Sequence, residues 1–366
     1  MFVKKRSACT VAIIAGTALV GAAAAPAAAS PAAPPQLKVV KTISSAFVGP
    51  LQFAVNGKKI FVADDFTSTL SQVGVKTPIA SNPGKNHDLA GVAVDPKTGA
   101  IAYTTATSTG DEGPHTAAAL IVKRAGHPDL NVDLYKFEKS HNPDRINHYG
   151  VVGHVSSCVR AFLKKMGGPA QYTGQVDPHP YGVASLGDGS WAVADAGGND
   201  ILRVEPNGNV FTLGVLPSQS VKVTSDVAKQ NGLPKCAIGI TYRSEPVPTD
   251  VEVGPNGQLY VSTLSGGLSL GTVYTLSANG YNTPHLLATG IPAATNLAVD
   301  PAGHVFVASL GAGAIFEVQA GSAPVPVASV ANVVAVEYAN GQLYASTAPA
   351  ANEAKGPGTI VLLGNA

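Results

Sequence analysis

The sequence predicts an all-β fold, a six-bladed β-propeller, on three observations. A strand–turn–strand phrase recurs six times. Two further strands follow its clearest copies. The chain also begins with a spare strand and ends with a repeat one strand short. Repeats of this length build solenoids or propellers, and four strands per repeat make a propeller blade.

Residues 1–29 read as a secretory signal. Lys4, Lys5 and Arg6 precede an apolar run over 11–25, and Ala27-Ala28-Ala29 offers a small-residue cleavage site. Cys9 lies before the apolar run, where it cannot become a lipid-bearing cysteine after cleavage. Residues 30–36 form a Pro/Ala-rich leader that includes Pro31, Pro34 and Pro35. No later segment is long and apolar enough to span a bilayer. The mature chain is therefore expected to be secreted, extracellular and without a membrane span.

The propeller is expected over 37–366. The copies of the phrase fall at 50–64, 91–104, 181–195, 249–262, 295–308 and 332–346. Asn56-Gly57, Asn256-Gly257 and Asn340-Gly341 are turn dipeptides that tolerate positive φ. Third strands are expected at 200–204, 271–276 and 314–318, and fourth strands at 210–215, 285–288 and 325–328. The last copy is followed by a third strand at 358–363 and then by no fourth. The spare strand at 37–43 resembles an outer strand, and pairing the two would close the ring and remove an edge. A seventh blade hidden in an insertion is the competing count.

Two insertions interrupt the repeat, at about 138–173 and 218–246. Just before the first, 118–123 and 132–135 are expected to supply the outer strands of the second blade. The first carries a helical stretch at 155–166 with Cys158. The second carries a short helix at 221–231, ending at Gly232, and then Cys236. In an oxidising compartment such a pair favours a disulfide, which would staple both insertions over the third blade as a partial lid. The alternative, a metal pair with His154, lacks a C-x-x-C spacing.

The formal charge is +1, charged residues are 13% of the chain, and Lys164-Lys165 is the kind of short basic pair that remains after the signal. That excludes a nucleic-acid or acidic-membrane partner, both of which need a basic face. The expected partner is a small molecule or a protein.

The first strand of each repeat should open into a central channel at Gln52, Gly91, Gly182, Asp250, Asn296 and Asn332. Asp250, Asn296 and Asn332 make an oxygen-rich arc, which His179 or Asp88 would complete. These four, Asp250, Asn296, Asn332 and His179, are the candidate metal ligands, and calcium is the candidate cation. A metal-assisted hydrolase is one reading. In the other, better supported because the arc has one firm carboxylate, the side chains hydrogen-bond one another and channel water. The candidate ligand face is the lidded mouth with His179, Tyr181, Asp250 and Asn296. Asp195, Asn199 and Asp200, like Asp64 and Asp65, are expected to bond turn backbone. His141, His148 and His154 cluster in the large insertion with Glu138 and Asp144; loop histidines are usually solvated, and a metal or catalytic role is the lesser alternative. No G-x-S-x-G, H-E-x-x-H or phosphate-loop pattern occurs, so no catalytic nucleophile is assigned.

The phrase Ala192-Val193-Ala194-Asp195-Ala196-Gly197-Gly198-Asn199-Asp200-Ile201-Leu202-Arg203-Val204 resembles those of the NHL and SMP-30-like propellers. Leu134 to Glu138 with Asn142-Pro143-Asp144, Val176 to Gly182 and Glu245 to Gly257 are similar to segments of the ScyD/ScyE family, exported propellers named from the scytonemin pigment cluster. The likeness spans nearly the whole mature chain. It implies a secreted six-bladed propeller acting as a ligand- or partner-binding module, and carries no catalytic motif. The wider superfamily implies the rival, a calcium-dependent lactonase or esterase-like hydrolase.

Overall fold

The structure, a computed structural model, describes residues 36–110, 113–349 and 357–365. The signal segment, Cys9 and most of the leader lie outside the described residues. The fold is mostly β, built from four-stranded antiparallel sheets in the manner of a β-propeller.

The first sheet takes Pro50–Asn56, Lys59–Asp64, Thr69–Gln72 and Ala80–Ser81, and the second His87–Val94, Ile101–Ser108, His115–Lys123 and Leu130–Asp133. The third takes Pro180–Ser185, Trp191–Asp195, Asp200–Val204 and Val210–Val215. The fourth takes Pro248–Val253, Gln258–Thr263, Gly271–Ser277 and His285–Ile291, and the fifth Ala294–Val299, Val305–Ser309, Ala314–Val318 and Val325–Ser329. The sixth joins Val333–Ala339, Gln342–Thr347 and Gly358–Gly364 to the N-terminal strand Lys38–Phe47.

Local sequence explains the strands. Pro50, Pro180 and Pro248 each stand first in a leading strand, where a missing N–H costs no ladder bond. Gly57 and Gly257 hold φ of 58° and 74° in the hairpin turns, a region most side chains avoid. The leading strand of every one of these sheets carries a register shift near its start, as between Pro50 and Gln52, Pro248 and Asp250, Ala294 and Asn296, and Val333 and Ala335. A bulge there re-aims the next side chain.

The leading strands are successive neighbours: Pro50–Asn56 with His87–Val94, then Pro180–Ser185, Pro248–Val253, Ala294–Val299, Val333–Ala339 and back to Pro50–Asn56. The hydrophobic core lies between the sheets. Leu120, Val122, Val183 and Trp191 pack the second against the third, and Phe53, Val62, Tyr344 and Ile360 pack the sixth against the first. Strands buried on both faces explain the runs of Val, Ala and Leu.

A further four-stranded sheet stands apart from this succession. It orders Gln171–Thr173, His148–Val151, Thr241–Ser244 and Gln219–Lys222, so each insertion gives two strands. Helices α2 (Ser157–Lys165) and α3 (Ser225–Gln230) accompany it, while α1 (Leu134–His141) packs on the second sheet. The Cys158–Cys236 disulfide joins α2 to the short turn Lys235–Ala237. Asp133, Ser156 and Thr224 cap the three helices through their side chains. The unit reaches the third and fourth sheets through Asn147 Nδ2 on the Leu216 carbonyl (2.8 Å) and Gln219 Nε2 on Thr272 Oγ1 (2.7 Å). Among the described residues no helix is long and apolar enough to cross a membrane.

Candidate metal centre

Three segments far apart in sequence meet beside the leading strands of the second and third sheets. Asp88 lies on His87–Val94, His115 opens His115–Lys123, and His179 immediately precedes Pro180. One donor atom from each of the three lies within 4.8 Å of the others. The imidazoles stack, with ring centroids 4.5 Å apart and 25° between their planes, and Tyr181 meets His179 edge-on at 5.6 Å.

Each donor is held from behind. Asp177 Oδ1 accepts from both the His115 backbone N–H (2.7 Å) and Nδ1 (3.0 Å). A carboxylate partner makes Nδ1 the protonated nitrogen and leaves Nε2 with its lone pair, the arrangement that prepares a histidine for a metal. Asp88 Oδ1 accepts from Ala106 N (2.7 Å), while its Oδ2 stands 2.9 Å from His179 Nε2. The His179 backbone N–H donates to Asp195 Oδ1 (2.7 Å). His179 Nδ1 is buried with no hydrogen-bond partner.

The electrostatics fit a cationic site. Burial alone would lower the basicity of His179, but Asp88 opposite it, with Asp65 and Asp195 nearby, drives its pKa up to about 9. Burial works against Asp88 ionising, and His179 more than offsets that, so its carboxyl titrates below its usual value. Burial, with Asp88 as a like-charged neighbour, pushes Asp65 up to about 7. The side chains of His115 and His179 are each 6% exposed and that of Asp88 is 24% exposed, so solvent reaches the group from the Asp88 side. Two imidazoles and one carboxylate suit a borderline divalent ion of the zinc type better than calcium, which takes oxygen donors. His115 is the residue that sequence reasoning missed: a histidine opening a strand carries no local signal, and while Asp88 shares its sheet, Asp177 and His179 come from the segment that leads into the next.

The predicted arc is arranged differently. Asn296 Nδ2 donates to Asp250 Oδ2 (2.7 Å) and to Gln52 Oε1 (2.8 Å). Leu297 N donates to Asp250 Oδ2 (3.1 Å), Val336 N to Asn296 Oδ1 (2.7 Å), and Gln52 Nε2 to the Thr249 carbonyl (3.0 Å). Asp250 and Asn296 are thus brought together as a cross-linked plug. Asn332 is not brought to them. It sits in a left-handed turn (φ 55°) before its strand, and the residue in register with Asp250 and Asn296 is Ala335. The same bulge occurs in all three sheets, and the channel position is the residue just past it, which in the sixth sheet lies three residues after Asn332. His179 turns to Asp88, and Tyr181 packs with Leu51, Ala90, Val247 and Val334, one from each of several sheets, in an apolar collar. Sequence reasoning also missed Glu252 and Glu337. Burial pushes both carboxyls well above their usual range, with Asp250 adding to both and Glu252 to Glu337.

The insertion histidines His141, His148 and His154 are exposed, and His141 stacks on Phe137 at 4.4 Å. A cleft of about 320 Å³ opens near Asp88, lined by Asn82, Thr105, Thr107, Asn131, Asp133 and Tyr135.

No family model matches the chain, and none of the curated proteins matches it. Solved structures do. An aldose sugar dehydrogenase from Streptomyces coelicolor, in its PQQ-bound form, is 14% identical over 91% of this chain and 99% of its own, with a TM-score of 0.53. A gluconolactonase from Xanthomonas campestris is 11% identical over 92% and 99%, with a TM-score of 0.52. A Thermus thermophilus glucose dehydrogenase-like oxidoreductase is 15% identical over 90% and 99%, with a TM-score of 0.50. At these identities, what the chain shares with them is the propeller fold.

Proposed function

We propose that the protein is a secreted six-bladed propeller, closed by its N-terminal strand, whose Asp88–His115–His179 group binds a divalent metal ion for hydrolysis of a lactone or related ester. The observation that carries this reading is the convergence of two imidazoles and a carboxylate with His115 already fixed in its metal-ready tautomer by Asp177. A bound ion would supply Lewis-acid activation of water. Asp88, the most exposed of the three, faces the solvent side, and the proton it shares with His179 in the metal-free protein would leave to solvent as an ion takes both donors. Tyr181 and the collar keep water off the inner edge of the His179 ring. The lactone class is suggested by the gluconolactonase that shares the fold.

A second reading is a ligand- or protein-binding module of the ScyD/ScyE type, favoured by the deep burial of both imidazoles. One experiment separates the two. Cobalt(II) titration of the mature, oxidised protein reads the donor set through its visible spectrum, and proton release reads hydrolysis of a panel of lactones and esters. The hydrolase reading expects stoichiometric cobalt and turnover, both lost in His115→Ala and His179→Ala. Metal without turnover on any substrate would favour the binding module, and no metal at all would remove the hydrolase.

A further inference from the structure

A cleft of about 500 Å³ lies where the outer strand of the third sheet meets the fourth sheet. That is the size of a small-molecule site. Phe211 enters it from Val210–Val215, and Tyr281 from the loop between Gly271–Ser277 and His285–Ile291. Phe211 is 49% exposed and Tyr281 64% exposed. Single apolar residues at the surface are ordinary, but two aromatic rings brought to one cleft from two sheets are a shared feature.

The backbone under both rings is fixed. Asn282 N donates to the Leu213 carbonyl (2.8 Å), which ties the loop of the fourth sheet to the outer strand of the third. Asn282 Nδ2 donates to the Gly280 carbonyl (2.9 Å), and its Oδ1 accepts from Ser277 N (2.9 Å). Gly214 permits the approach, since a Cβ there would stand 2.9 Å from the Asn282 carbonyl oxygen. Arg203 Nη1 crosses the same seam to the Ala278 carbonyl (3.1 Å). Tyr281 is thus pinned through both chain neighbours while its ring stays in water. Folding gains little from such a ring, and a ligand that covers it has little of the loop left to order.

The polar groups of the cleft narrow the ligand. Arg203 lies directly across the strand pair from Phe211, and Glu205 follows two residues later. Arg203 pairs with Asp188, and among the described residues Glu205 makes no ion pair. An organic cation drawn to Glu205 would meet the Arg203 guanidinium, and an anion drawn to Arg203 would meet Glu205. A neutral ligand takes a donor from one and an acceptor from the other. Thr212 and Asn279 add a hydroxyl and an amide to the same lining. A purely apolar ring would cover these groups without bonding them, which costs their lost hydration. A neutral molecule with an apolar face for the rings and hydroxyls around its edge satisfies both halves of the cleft, and that is a sugar ring.

We infer that this cleft binds a neutral oligosaccharide, with sugar rings on Phe211 and Tyr281 and their hydroxyls bonded by Arg203, Glu205 and Asn279. The site is separate from the imidazole group and does not depend on the hydrolase reading.

The test is calorimetry and saturation-transfer NMR on the mature, oxidised protein with cellohexaose, xylohexaose, mannohexaose and chitohexaose as probes, and benzylamine and polygalacturonate as charged controls. The expected result is binding of at least one neutral hexaose, unchanged by added salt because no charge is being screened. Phe211→Ala and Tyr281→Ala should each weaken it by about tenfold. Both rings are exposed, so these variants should melt with wild type. Tyr281→Phe keeps the ring and should keep the affinity, and His115→Ala should leave binding untouched. Failure of all four neutral probes would overturn the proposal, as would binding undiminished in both ring variants. Loss of binding in His115→Ala would move the sugar to the imidazole group and overturn it too. Benzylamine binding lost in Glu205→Gln, with the hexaoses inert, would replace it by an organic-cation site.

Discussion

Asp250 shows how one residue answers a question that its type leaves open. An aspartate at a channel mouth reads equally as a ligand or as a strut. Here its Oδ2 takes both the Asn296 amide and the Leu297 N–H, which makes it a strut. Burial raises its carboxyl from 3.8 to about 7, against the backbone bonds from Leu297 and Val251. The folded value lies above the unfolded one, so the stability linked to this proton is complete below the unfolded value and is lost as pH rises through the folded one. Asp250→Asn cannot titrate. Its melting temperature relative to wild type should therefore increase between about pH 4 and about pH 8, as paired thermal melts would show. The neighbouring Gly182 is set by close approach: an added Cβ would stand 2.6 Å from the Asp250 Cα, backbone that cannot rotate away. Gly182→Ala should cost about 1–3 kcal/mol in denaturant unfolding.

At the scale of elements, the strands and helices that a local period or cap announces were legible. The hairpins at each Asn-Gly turn, the third and fourth strands, and the helices carrying or preceding the cysteines lie close to where the pattern puts them. The exceptions have physical causes. The spare strand runs to Phe47 rather than 43, because its irregular register with Gly358–Gly364 is set by the partner. Residues 134–135 leave the outer strand of the second sheet for α1, because Asp133 caps a helix there. The additional sheet was invisible, since its four strands are short, belong to no repeat and find partners across two insertions. The channel position in the sixth sheet is Ala335 rather than Asn332, because Asn332 precedes its strand in a left-handed turn and the residue just past the bulge there is alanine. Half of the candidate site was legible: Asp88 and His179 sit at repeat-aligned strand starts, while His115 opens the third strand of its sheet, outside the repeated phrase, and Asp177 acts through its contact with His115. The disulfide was legible from the cysteine number and the expectation of export. Replacing Cys236 by Ser should lower stability by about 4 kcal/mol in the chain-entropy account. Calorimetric melts of the variant against the oxidised protein check this, and an equal melting temperature would show that the insertions hold together without the bond.

For the whole molecule, the pairing of Lys38–Phe47 with Gly358–Gly364 joins segments from opposite ends of the described chain. Contacts of such sequence separation form late and slowly. Deleting residues 38–47 would leave Gly358–Gly364 as a bare edge, a template for intermolecular pairing. The deletion variant should elute as oligomers in size-exclusion chromatography, and adding a peptide of residues 38–47 should restore monomer. Elution as a monomer without the peptide would mean that the sheet tolerates an open edge.

The Cys158–Cys236 bond has a mechanical consequence. All four strands of the third sheet lie inside the covalent loop it closes. Pulled from its ends, the oxidised chain cannot pay out that loop, because tension passes through the bridge and bypasses the sheet. Its 78-residue separation conceals about 27 nm of contour length. In a single-molecule stretching trace, reductant should release that hidden length as an added step, and the sheet bearing His179 would be the one part of the repeat that force reaches only after chemistry.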